Sequence, residues 1–135
     1  MKKLSIIALL AMAASASAAT VQVRIDGVTS DKGLVQVAVC DEANYRKDCQ
    51  LTATVPARKG FVMAEVPNVP AGTWAVLAYH DENGNKKLDT NFVGMPKEGY
   101  GFSNAAKATF GPPSFKDAAI PVGEGKVTAV VTLTY

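Results

Sequence analysis

The sequence has 135 residues, enough for one domain and too few for a second of any size. Apolar residues make up 48% and charged residues 19%, which excludes both a disordered tail and a highly charged binding arm. Two of the fourteen cations, Lys2 and Lys3, sit at the N-terminus, so the rest of the chain balances at twelve of each sign, excluding nucleic-acid binding through a global basic field, and the single His excludes a multi-histidine metal centre.

Met1-Lys2-Lys3 reads as the basic start of a signal peptide, Leu4 to Met12 as its apolar core, and Ala16-Ser17-Ala18 as an A-x-A cleavage site. The apolar run is too short to span a bilayer of about 30 Å as a helix. The expectation is a signal peptide over residues 1–18, a single mature domain over 19–135, and a periplasmic or secreted location. No later stretch is long and apolar enough to predict a membrane span after cleavage.

Past Ala18 the dominant period is two. Val21, Val23 and Ile25 alternate with Gln22 and Arg24, and Val35, Val37 and Val39 alternate with Gln36 and Ala38. Cys40 and Cys49 follow, separated by a polar stretch. In an oxidising compartment so close a pair predicts a disulfide, and neither C-x-x-C spacing nor further Cys or His nearby supports a redox or zinc role. Leu51 to Ala57, Phe61 to Val66, Thr73 to Tyr79, Ala119 to Val122 and Val127 to Tyr135 complete the β-prone runs. Turn signals at Asp31-Lys32-Gly33, Lys59-Gly60, Pro70-Ala71-Gly72 and Gly123-Glu124-Gly125 punctuate them. The pattern predicts an all-β chain, an antiparallel β-sandwich of about seven strands with Trp74 packed between the sheets.

His80 to Lys116 breaks the pattern. It is rich in Gly, Asn and Pro, lacks a sustained strand, and carries Phe92, Met95, Tyr100, Phe102, Phe110 and Phe115. Long stretches of this kind inside a compact domain are usually functional or disordered, and the aromatics argue for one long ordered loop with a helical turn around Ser103 to Lys107. Within it, Asp81, Asn83, Asn85 and Asp89 fall at relative positions 1, 3, 5 and 9, the oxygen spacing with which a loop wraps Ca²⁺. Lys86 stands where that loop type has Gly, and Phe92 where it has a bidentate Glu. The competing reading is a set of Asx turns in which Asn and Asp bond their own backbone. Gly99-Tyr100-Gly101-Phe102-Ser103-Asn104 alternates aromatics with Gly, either to line a ligand pocket or to pin the loop to the sandwich. His80, Glu98, Tyr100, Phe102, Ser103 and Asn104 are the candidate ligand-binding residues. No catalytic residue is assigned: adjacent His80 and Asp81 would leave a strand on opposite faces, and no nucleophile elbow is present.

Val69-Pro70-Ala71-Gly72-Thr73-Trp74, His80-Asp81-Glu82-Asn83-Gly84-Asn85, Gly94 to Asn104 and Phe110 to Ala118 occur in an order that resembles the bacterial family DUF2141, small exported proteins of unknown function. The Pro-x-Gly-Thr-aromatic strand start is also similar to prealbumin-like and Cna-B-type sandwiches, which implies a Greek-key, transthyretin-like topology. Three functions remain open. The first is an exported binding or accessory module whose partner is a small molecule, a glycan or an envelope protein. The second is a calcium-stabilised structural domain, with Ca²⁺ as cofactor. The third is a hydrolase using His80 and nearby carboxylates.

Overall fold

The computed structural model describes residues 18–88, 96–109 and 111–135. The expected signal segment up to residue 17 therefore lies outside the described residues, as do Asp89, Phe92, Met95 and Phe110. Two sheets face each other. One is three-stranded, with β1 (Ala18–Val28) between β4 (Gly60–Pro70) and β8 (Gly125–Thr132). The other runs β3 (Leu51–Pro56), β2 (Leu34–Cys40), β5 (Gly72–Asp81), β6 (Tyr100–Phe102), with β7 (Ala119–Val122) pairing the start of β5. A single helical turn, α1 (Phe115–Ala118), begins at Ser114, whose Oγ accepts the N–H of Asp117. Among the described residues no helix is long and apolar enough to cross a membrane.

Alternation sets the register. Val21, Val23 and Ile25 lie opposite Val66, Ala64 and Val62 on β4, and opposite Val127, Ala129 and Val131 on β8. Val35, Val37, Val39, Val76 and Ala78 close the core from the second sheet. A slip of one residue would carry each of these valines into water, so the buried face fixes the pairing.

The sandwich departs from the sequence reading in four places. β1 and β8 run parallel, whereas every other pair is antiparallel. Side-chain alternation is the same in either direction, and the long crossover a parallel pair requires is here the whole of β2 to β7. β6 is an eighth strand inside the stretch expected to lack one. The helical turn expected around Ser103 to Lys107 is instead a turn with Asn104 and Ala105 at φ 58° and 51°, and the helix falls at Phe115–Ala118. Trp74 packs against the core but is only half-buried, at its margin. Its indole N–H donates to the Pro70 carbonyl at 2.8 Å, as a Trp N–H needs an acceptor.

Candidate functional site

The outward face of the larger sheet has a floor of mixed character. Register places Gln36 between Thr54 and Tyr79, and Ala38 between Thr52 and Leu77. Beyond β5, Leu77 lies opposite Phe102 and Tyr79 opposite Tyr100. Thr54 Oγ1 donates to Gln36 Oε1 at 2.5 Å, and Gln36 Nε2 donates to Asp81 Oδ2 at 3.3 Å, so a polar row crosses three strands. Tyr100 and Phe102 pack edge to face, centroids 6.1 Å apart.

The alternating glycines explain why these two aromatics face outward. A Cβ on Gly101 would stand 2.4 Å from the Thr132 carbonyl oxygen, and one on Gly99 would stand 2.4 Å from the Tyr135 ring. β6 lies so close to the end of β8 that only glycine fits on its inner side. Its side chains therefore point to the other face.

Two braced loops wall this floor. At the Cys40 end of β2, Cys40 and Cys49 are disulfide-bonded with Cα atoms 5.1 Å apart. Inside the loop Asp41 Oδ1 accepts the Asn44 N–H at 2.9 Å, and the Asn44 carbonyl accepts the Lys47 N–H at 2.8 Å. Tyr45 ties the loop down: its O–H donates to the Pro113 carbonyl at 2.7 Å, and its ring meets Phe115 edge-on at 5.7 Å. Partial burial raises the Tyr45 phenol pKa above its ordinary 10.0, with Asp117 adding to the effect and Arg46 opposing it. Arg46 and Lys47 stand on this wall.

At the other end of β2, the turn after β5 carries Lys86 and Lys87. Asp81 is fully buried, and its carboxylate accepts the N–H groups of Asn85 at 3.1 Å and Lys86 at 2.8 Å. Asn83 Oδ1 accepts the Asn85 N–H, and Asn85 Oδ1 the Lys87 N–H. These are Asx-type bonds, and Lys86 completes the turn at φ 61°. Floor and walls enclose an open groove of about 1140 Å³, also lined by Leu88, Pro96 and Pro112.

The candidate residues from the sequence fall into different places. Tyr100 and Phe102 line the groove. Ser103 is buried and structural: its Oγ accepts the Val76 N–H at 2.8 Å and donates to the Ala118 carbonyl at 2.5 Å. Asn104 donates to the Asp117 carbonyl at 2.9 Å. Glu98 is buried beside the turn and accepts the Glu82 N–H at 2.8 Å. His80 faces the core, on the opposite side of β5 from the Asp81 carboxylate, so the two form no dyad. Its Nε2 lies 2.6 Å from the Lys32 carbonyl, which can only accept, so Nε2 carries the proton. In the neutral ring Nδ1 then accepts from Tyr135 O–H at 2.9 Å, while the phenol oxygen takes the Thr29 N–H at 3.1 Å. Asp81, Asn83 and Asn85 cluster in one turn, and Asp89 lies outside the described residues.

The sequence reading did not single out Arg46, Lys47, Lys86 and Lys87, which line the groove. The available signal was two basic pairs, one in each of two short polar loops. A second cleft, about 710 Å³, opens between β6 and β8 and has Lys107 as its only charged lining residue among those described.

Residues 23–130 match the family model described as "Uncharacterized protein conserved in bacteria (DUF2141)". No curated protein and no solved structure matches the chain.

Proposed function

The chain belongs to DUF2141, a family of uncharacterized proteins conserved in bacteria, and from that premise we propose that it is an exported module that binds a small molecule in the groove on the outer face of the five-stranded sheet. One observation carries this reading. Aromatic side chains from β5 and β6 and cations from two separately braced loops line the same cleft. An outward sheet face is ordinarily an open solvated surface. A walled apolar floor with a few positioned polar groups is the usual form of a small-molecule site. The bracing matters because a site is specific only when its groups are held in place before the ligand arrives. Crystals soaked with uncharged aromatic fragments test the assignment: density over Leu77, Tyr79 and Phe102 supports it, and density only in the cleft between β6 and β8 defeats it.

Export rests on the basic start, apolar core and A-x-A site of residues 1–18, and on the disulfide, a bond that persists in oxidising compartments. Intact-mass measurement of the protein from an exported fraction should give a chain starting at Ala19. A chain that retains Met1 contradicts export by cleavage.

A calcium-stabilised turn is the second reading, favoured by one observation: Lys86 takes a left-handed conformation at the sixth position from Asp81, where cation-wrapping loops place glycine. A cation there would compete with the turn's own N–H groups for the oxygens of Asp81, Asn83 and Asn85. Thermal melts in millimolar Ca²⁺ and in chelator at constant ionic strength decide it. A rise of several degrees supports the metal, and superimposable melts refute it.

A further inference from the structure

We infer that the occupant of this groove is a small anionic amphiphile, an apolar or aromatic body ending in a carboxylate, sulfonate or phosphate. The inference rests on the groove being a ligand site and adds the chemistry of what fills it. Among the described residues five charged side chains line the groove: Arg46, Lys47, Lys86 and Lys87 are cationic and Asp48 is acidic. None of the four cations is in an ion pair among the described residues. The opposite face of the molecule is arranged differently. On the three-stranded sheet Arg24 pairs with Asp26 at 2.9 Å, and Lys126 approaches Glu65 at 3.9 Å. Chain-wide charge is balanced once the N-terminal segment is set aside, so the excess at the groove is local.

The backbone adds an independent sign. Among the described residues five non-glycine residues adopt positive φ, and two of them are Arg46 at 60° and Lys86 at 61°. Side chains are disfavoured there and glycine is not. Both positions nonetheless carry a long cation, one at each end of the groove. Cations that border a cleft with a low-dielectric floor focus their field into it and attract an anion more strongly than the same charges on an open surface. The floor supplies the rest of the specificity. Leu77, Tyr79, Tyr100 and Phe102 offer apolar and ring surface, whereas Gln36, Thr52 and Thr54 offer hydrogen bonds along one side. The volume, about 1140 Å³, suits a drug-sized molecule better than a flat protein partner.

Two fluorescent probes with one ring system separate the charge from the groove. Anilinonaphthalene sulfonate is anionic, and N-phenyl-1-naphthylamine is its uncharged counterpart. The intact protein should bind the sulfonate about tenfold more tightly at low salt, and the advantage should collapse at about 0.5 M NaCl. Lys86→Gly and Arg46→Gly relieve the backbone while removing a cation. Each should weaken the sulfonate about fivefold more than the neutral probe, and keep or raise the melting temperature. Lys126→Gln, on the other face, should change neither affinity. Equal affinity for the two probes, or glycine variants that bind the sulfonate like the wild type, overturns the anion inference and leaves the groove standing. Binding of neither probe, or binding of both that survives Leu77→Asp in a cooperatively folded variant, overturns the groove itself.

Discussion

Gly101 has no room for a methyl group. Its inward position meets the backbone oxygen of Thr132 and the Val131 side chain, neither of which can swing aside, so Gly101→Ala must lift β6 from β8. The expected loss is about 1–3 kcal/mol, as for other overpacked sites, read from chemical denaturation. At Gly99 the obstacle is the Tyr135 ring, so Gly99→Ala must displace a ring whose O–H bonds His80 and Thr29 and should also destabilise. Tyr135 has its own role, since its O–H satisfies a nitrogen of the fully buried His80 ring. Tyr135→Phe leaves that nitrogen without its donor and should destabilise by about 1–3 kcal/mol. Tyr45 gives a pH dependence. Burial holds its phenol pKa above 10.0 in the folded chain, so the stability this contributes is complete below that pH and is lost as pH rises through the folded value. Melts between about pH 9 and 11 should therefore fall more steeply for the wild type than for Tyr45→Phe.

At the scale of elements, the Cys40–Cys49 loop is both a staple and a wall. Closing a loop this short contributes about 2–3 kcal/mol in the chain-entropy model. Cys40→Ser with Cys49→Ser should lower the melting temperature and, by freeing Arg46 and Lys47, weaken sulfonate binding. Full affinity in the unbridged variant would mean that this wall does not need the bridge. The strands were legible because valines at period two leave little choice of face. β6 was not, because glycine stands at its inward position, Gly101, and at Gly99 just before it, which erases the alternation that marks a strand. The parallel direction of β8 leaves no trace in alternation either. The groove was half legible: Gly99 to Phe102 stood out, but Gln36, Leu77 and Tyr79 read as the solvent side of ordinary strands. Lys86 read only as a departure from the glycine of a cation-wrapping loop. The meeting of Lys86 and Lys87 with Arg46 and Lys47 around one floor depends on which strands adjoin, and no local pattern encodes that.

For the molecule as a whole, the two sheets present different surfaces. The three-stranded sheet exposes Phe61, Met63 and Val130, with Arg24 stacked 4.0 Å over the Phe61 ring and its charges paired. The five-stranded sheet exposes a walled groove with an excess of positive charge. Ligand is expected on the second surface and not the first, and backbone-amide chemical-shift mapping with anilinonaphthalene sulfonate distinguishes the two. Shifts should concentrate at Gln36, Ala38, Leu77, Tyr79, Lys86 and Phe102. Shifts concentrated at Phe61, Met63 and Val130, with the groove amides unmoved, would contradict that expectation.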